Sequence, residues 1–178
     1  EGGAFVFEGS ATGLDSVAAW SYGSGQVKAF LGWSVSTAGD VNGDGYSDVI
    51  VGAPLFDDPV NPNNIDEGKA YVFYGTPTGL DSLPEWTVDG GQGAAQFAAS
   101  VAAAGDVNGD GYSDALVGAP FWDNGQTDEG RAYLFRGTPL GLRSISLKSV
   151  EPNQSLAQFG TRVAGAGDVN GDGYADVL

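Results

Sequence analysis

Oxygen-bearing side chains fall at alternate positions of a nine-residue stretch that occurs three times, DVNGDGYSD at 40–48 and 106–114 and DVNGDGYAD at 168–176. In the first copy Asp40, Asn42, Asp44 and Asp48 hold positions 1, 3, 5 and 9, and the backbone carbonyl of Tyr46 holds position 7. Gly43 and Gly45 allow the tight curl between them. Such a loop presents only hard oxygens, the donor set of Ca²⁺, which takes roughly 6 to 8 of them. The matching groups are Asp106, Asn108, Asp110, Tyr112 and Asp114 in the second copy, and Asp168, Asn170, Asp172, Tyr174 and Asp176 in the third. A single copy reads equally well as a polar turn, since Asp, Asn and Gly are turn residues. Three copies that keep every carboxylate go beyond turn chemistry, which accepts Ser, Asn or Gly in those places. The expectation is one Ca²⁺ per loop and three per chain.

The elements that must position these loops are repeated with them. EGGAFVFEG at 1–9 returns as EGKAYVFYG at 67–75 and EGRAYLFRG at 129–137, at offsets of 66 and 62. SATGLDSVAAW returns as TPTGLDSLPEW and TPLGLRSISLK, with Lys148 in the place of Trp20 and Trp86. Leu14, Leu80 and Leu142 each lie 26 residues before the first Asp of a loop. The two offsets differ because DDPVNPNNID (57–66) is four residues longer than DNGQTD (123–128). Loops absorb insertions and packed strands do not, so both segments are expected at the surface.

AYVFYG and VIVGA are short, β-branched and aromatic, apolar on both alternating faces, and bounded by Gly, Pro and Asp. That is the pattern of a strand buried on both sides. No apolar stripe of helical period is present. Calcium loops flanked by helices are therefore disfavoured, because VIVGAP follows the first loop directly. About four short strands per unit, apolar on both faces, fit blades stacked radially better than a sandwich with one wet face. The expected fold is all-β, with β-propeller blades of four antiparallel strands.

Composition narrows the function. The chain has 178 residues, 42% of them hydrophobic, enough for one domain with a sizeable core. Its 23 acids against 7 bases give a formal charge of −16, which argues against nucleic acid and anionic membrane surfaces as partners. Nine of those acids are the loop aspartates. The sequence holds neither Cys nor His, which removes disulfides, zinc sites of the usual kind, thiol nucleophiles and Ser/His/Asp triads. No apolar run approaches the roughly 18 residues of a membrane span.

The order FG (Phe159–Gly160, with Leu31–Gly32 and Phe97–Ala98 as weaker copies), DxNGDGYxD, then GAP (Gly52–Pro54, Gly118–Pro120) resembles the FG-GAP repeat of integrin α-subunit β-propellers and their bacterial relatives. The resemblance spans essentially the whole chain, with repeats at about 1–66, 67–128 and 129–178. It implies that FG forms the innermost strand of a blade, that GAP ends the second strand, and that calcium sits in the loop between. It also implies an extracellular or cell-surface binding module, with loops 57–66 and 123–128 displayed to a protein or carbohydrate ligand. The competing reading is a propeller enzyme, a hydrolase or lyase, that uses the central channel. Glu67 and Glu129 are its acid/base candidates, yet both recur with their repeat, which fits a structural role at a strand start better. Trp20 and Trp86 are repeat equivalents and are expected in the core. Trp33 and Trp122 occur once each and are the candidates for a surface role, such as stacking on a sugar. Three repeats do not close a ring of the family's size. The chain is therefore expected either to be part of a longer propeller or to assemble head to tail as a homo-oligomer.

Overall fold

Short runs of β-branched, aromatic and small residues, punctuated by Gly, Pro and Asp, form sixteen strands of two to six residues and no helix in the computed structural model, which describes residues 1–178. The chain opens with β1 (Ala4–Val6), a ribbon of β2 (Gly9–Ser10) and β3 (Gly13–Leu14), and β4 (Trp20–Tyr22). The next group is β5 (Ser34–Gly39), β6 (Asp48–Ala53), β7 (Lys69–Phe73), the ribbon β8 (Gly75–Thr76) and β9 (Gly79–Leu80), and β10 (Trp86–Asp89). Then follow β11 (Ser100–Gly105), β12 (Asp114–Ala119), β13 (Arg131–Phe135) and β14 (Lys148–Val150), and finally β15 (Gly165–Gly167) with β16 (Asp176–Val177).

β5-β6-β7-β10 and β11-β12-β13-β14 are complete four-stranded antiparallel meanders. β1 with β4 is the outer half of a further blade, and β15 with β16 is the inner half of another. The first strands lie side by side, β5 against β11 and β11 against β15. A side-chain oxygen links each pair: Val101 N–H donates to Ser34 Oγ at 3.0 Å, and Val163 N–H to Ser100 Oγ at 3.0 Å. The fold is all-β and made of propeller-like blades, as the repeat pattern predicts.

Successive side chains on a strand point to opposite faces, so a strand between two blades must be apolar at every position. β12 is buried throughout. In the preceding blade Ile50 and Val72 face one cluster, with Trp86, Phe97, Val117 and Phe135, while their neighbours Val51, Tyr71 and Phe73 face the other, with Leu31 and Phe56. Two of the contacts between blades are anchored by an edge-to-face aromatic pair, Trp20 on Phe73 at 4.7 Å and Trp86 on Phe135 at 5.1 Å between centroids. Trp86 is thus a core residue, as expected, while its repeat equivalent Trp20 is half-buried and packs against the edge of its cluster.

The FG pair departs from the expectation. Leu31–Gly32, Phe97–Ala98 and Phe159–Gly160 form a turn ahead of the innermost strand, which begins at Ser34 and Ser100 in the complete blades. Their N–H groups at Leu31, Phe97 and Phe159 donate to the carbonyls of Glu1, Glu67 and Glu129, the residues that open the third strand of the preceding unit. This turn lies so close on the GAP segment that a Cβ on Gly52 would overlap the Ala98 carbonyl, and one on Gly118 the Gly160 carbonyl. GAP itself ends β6 and β12, as the resemblance implies.

Two tryptophans separate core from surface: Trp86 is 5% exposed and Trp33, packed only edge-on to Phe30, is 63% exposed. Trp86→Ala is expected to cost about 3–5 kcal/mol, and Trp33→Ala no more than about 0.5 kcal/mol. Urea denaturation of the two variants checks this, and equal losses would overturn the assignment of interblade core.

Candidate metal loops

Each candidate loop begins at a β-bulge. The register of β5 on β6 shifts between Thr37 and Gly39, that of β11 on β12 between Ala103 and Gly105, and that of β15 on β16 between Gly165 and Gly167. Gly39, Gly105 and Gly167 take φ of 77°, 78° and 71°, a conformation that a side chain resists, and this explains the invariant Gly before each first Asp.

The carboxylate of that first Asp fills the concave side of the turn. Asp40 accepts the N–H groups of Gly43 at 2.6 Å, Asp44 at 3.1 Å and Gly45 at 2.8 Å. Asp106 does the same with Gly109, Asp110 and Gly111, and Asp168 with Gly171, Asp172 and Gly173. These donors, that of Gly173 foremost, hold the Asp168 carboxyl below its usual range. Asn42 and Asp44 close the turn further: Asp44 N–H donates to Asn42 Oδ1, Tyr46 N–H to Asp44 Oδ1, and Asn42 Nδ2 to Asp44 Oδ2. The third loop repeats every one of these bonds.

The second loop does not. Asn108 Nδ2 is buried without a partner, and Asp110 Oδ2 lies 3.6 Å from Arg136 Nε. This loop carries a cation of its own beside a candidate ligand.

The ninth residue behaves differently from the others. Asp48 and Asp114 are fully buried. Asp48 Oδ2 accepts Val41 N–H at 2.8 Å and Oδ1 accepts Gly75 N–H at 2.9 Å, while Asp114 accepts Val107 and Gly137 N–H in the same way. Burial pushes both carboxyls above the usual aspartate range, and the N–H donors work against that shift. The structure therefore brings positions 1, 3 and 5 together at the loop surface and sets position 9 beneath them. No three carboxylates of a loop converge on a common point.

Neighbouring loops are joined. Ser113 N–H donates to the Asp40 carbonyl at 3.0 Å and Ala175 N–H to that of Asp106 at 3.0 Å. The rings of Tyr112 and Tyr174 lie where a Cβ on Gly43 and Gly109 would stand.

The FG-GAP repeat family matches residues 31–73 and 97–135, the segments that contain the two complete blades from FG turn to third strand. The chain carries FG-GAP repeats. It is 32% identical over 171 residues to integrin alpha-5 of Xenopus laevis, a match that covers 93% of this chain and 16% of that protein. It is 34% identical over 164 residues to integrin alpha-PS2 of Drosophila melanogaster, covering 85% of this chain and 11% of the relative. With human integrin alpha-IIb the identity is 34% over 157 residues, covering 86% and 15%. The chain thus spans less than a fifth of the length of these relatives.

The glutamate that opens the third strand of each FG-GAP repeat is enclosed in both complete blades. Glu67 and Glu129 are 1% and 0% exposed. Glu67 Oε2 accepts Asn64 Nδ2 and Gly91 N–H, both at 3.1 Å, and burial raises its carboxyl above the usual range. Neither Glu129 oxygen has a protein partner. The shorter loop 123–128 supplies no counterpart to the Asn64 contact.

Two features escaped the sequence reading. Gln26 clamps Asp57 with both ends of its amide, at 2.7 and 2.8 Å, and Gln92 clamps Asp123 at 2.7 and 2.9 Å, which ties the turn ahead of each repeat to the display loop after its second strand. The signal was present, since Gln26, Gln92 and Gln154 share the offsets of 66 and 62. Trp122, expected at the surface, instead packs against the interblade core and edge-on to Tyr133, with the Arg131 guanidinium 4.5 Å over its ring. It holds the place of Phe56, over which Lys69 lies at 4.8 Å, so the position recurs with a different aromatic.

A buried acid whose pKa is raised binds its proton more tightly in the folded than in the unfolded chain. Its contribution is greatest at low pH and declines as pH rises through the interval between the two values. Glu67→Gln removes that decline. The variant is expected to lose less stability than the parent between pH 5 and pH 8, measured by denaturation at both, and parallel losses would refute the charge burial.

Proposed function

We propose that this chain is a calcium-braced β-propeller module spanning residues 1–178, displayed outside the cell or at its surface, that binds a protein or carbohydrate partner and carries no catalysis of its own. The observation that carries the reading is the same oxygen-lined turn built three times on the same bulge. The donor chemistry is that of Ca²⁺: Asp40, Asn42, Asp44, the Tyr46 carbonyl and Asp48 would hold one ion by drawing their oxygens together, and their equivalents at 106–114 and 168–176 two more. A carboxylate oxygen that already accepts an N–H keeps a second lone pair for a cation. When bound, Ca²⁺ would neutralise three aspartates that otherwise repel one another across a few residues.

The binding reading is supported by the two loops that absorb insertions. Segments 57–66 and 123–128 both follow a second strand, so they share one end of their blades, opposite the metal loops. The similarity to integrin alpha subunits supports an adhesion role and setting. The enzymatic alternative lacks an accessible acid/base pair at its candidate positions, because Glu67 and Glu129 are enclosed where substrate does not reach.

Chelation tests the metal. EDTA is expected to lower the melting temperature and added Ca²⁺ to restore it, each site contributing about 2.7 kcal/mol at 100-fold excess over its dissociation constant. A melting curve indifferent to EDTA would sink the calcium assignment. Native mass spectrometry of Asp106→Ala is expected to show two bound ions in place of three, and simultaneous loss of all three would mean a shared site.

A further inference from the structure

One position of the repeat changes character from unit to unit, and it stands beside the candidate loops. The residue before Gly9, Gly75 and Gly137 is Glu8, Tyr74 and Arg136 in turn. Gly137 N–H is held by the buried Asp114 at 2.9 Å, and the Arg136 carbonyl accepts Arg143 N–H at 2.9 Å, so the backbone that carries Arg136 is pinned on both sides. Its Nε lies 3.6 Å from Asp110 Oδ2. Of the three ion pairs in the structure, this is the one that engages a loop aspartate.

The pair changes what covers the fifth position of the loop. In 40–48 and 168–176, Oδ2 of Asp44 and of Asp172 accepts the side-chain amide of Asn42 at 2.9 Å and of Asn170 at 3.0 Å. In 106–114 the Asn108 amide is buried without a partner, and the guanidinium takes its place beside Asp110. A neutral amide turns away from an incoming dication without conflict of charge. A guanidinium tethered next to Gly137 cannot retreat far: Asp110 must give it up, and a like charge then stands close to the ion and repels it.

We propose that Arg136 sets the calcium response of the 106–114 loop, standing in for an ion at Asp110 and lowering the affinity of that loop for Ca²⁺ below that of 40–48; the inference rests on the calcium reading above. The two loops compare directly, because both belong to complete four-stranded blades and their nine residues are identical. A difference between them therefore comes from outside the loop. The side chains of Arg136 and Asp110 are 45% and 32% exposed, so solvent screens the pair and the effect is several-fold rather than many orders of magnitude. The place of the loop gives the effect a consequence. It lies between the other two, bonded to the first through Ser113 and to the third through Ala175. A middle loop neutralised by its own arginine keeps both links when calcium is scarce.

A calcium titration of the full chain, followed by native mass spectrometry, tests the proposal. Arg136→Met, which removes the charge and keeps the length, is expected to tighten one binding step by about 3–10-fold. Arg136→Lys, which keeps the charge, is expected to titrate like the parent. In the Asp106→Ala background Arg136→Met is expected to change nothing, because the loop it acts on no longer binds. Arg136→Gln is the second variant should Arg136→Met fail to fold. Equal affinities in the parent and the neutral variants, a gain shared by Arg136→Lys, or a gain that persists with Asp106→Ala overturns the proposal and leaves the calcium assignment standing. A parent chain that takes up no calcium overturns both.

Discussion

Asp48 and Asp114 are carboxylates held where no water reaches them, each by two backbone N–H groups that come from different parts of the blade. An isolated buried charge is costly, and charge-assisted bonds to N–H donors are what make it tolerable. One donor, Val41 or Val107, lies at the entrance of the metal loop; the other, Gly75 or Gly137, lies just beyond the third strand. The loop conformation and the alignment of the second and third strands are therefore fixed by the same side chain. Anything that orders residues 40–48 also orders the exit of β7, so a cation bound at the loop would act on the whole sheet.

That coupling is not confined to one blade. Asp40 and Val41 offer their carbonyls to Ser113 and Thr138 of the next blade, and the ring of Tyr112 closes over Gly43. The first loop thus rests on the second, and the second on the third. Repeats that contact only their neighbours still share their order along the row, because every interface term belongs to two units. The inner strands carry the same logic at the hub, where Ser34 and Ser100 each accept an N–H from the following blade.

Much of this was legible in the sequence, because the repeat makes each residue a comparison with itself. The repeated loops, the insertion at 57–66 and the core placement of Trp86 follow from period and residue type, and the GAP ends from the family resemblance. What was not legible are contacts between units. The role of Trp122 depends on Arg131 stacking over it, and its equivalence to Phe56 is visible only once the aromatic character of the position is weighed above its identity. The FG turn was misplaced as a strand for a related reason. Leu31, Phe97 and Phe159 bond to the preceding unit rather than along their own blade, and nothing within one repeat reveals that. The left-handed backbone of Ala98, φ 66°, where Gly32 and Gly160 stand in the other copies, shows that the turn persists even without its glycine.

Equivalent residues in this chain are not energetically equivalent, and the difference is positional. Val41 is fully buried while Val169, the same residue in the same loop, is 72% exposed. The third strand of the first complete blade is buried from Ala70 to Phe73, and β13, nearly identical in sequence, is half-exposed for most of its length. Residue type decides which positions are able to form core, but only a neighbouring blade makes them core. Local opening free energy scales with buried apolar contact, so it should be high around β6 and β12, which are covered on both faces. The candidate loops follow the same rule, since each of the first two is braced by the blade that follows it: Ser113 bonds to the Asp40 carbonyl and Ala175 to that of Asp106.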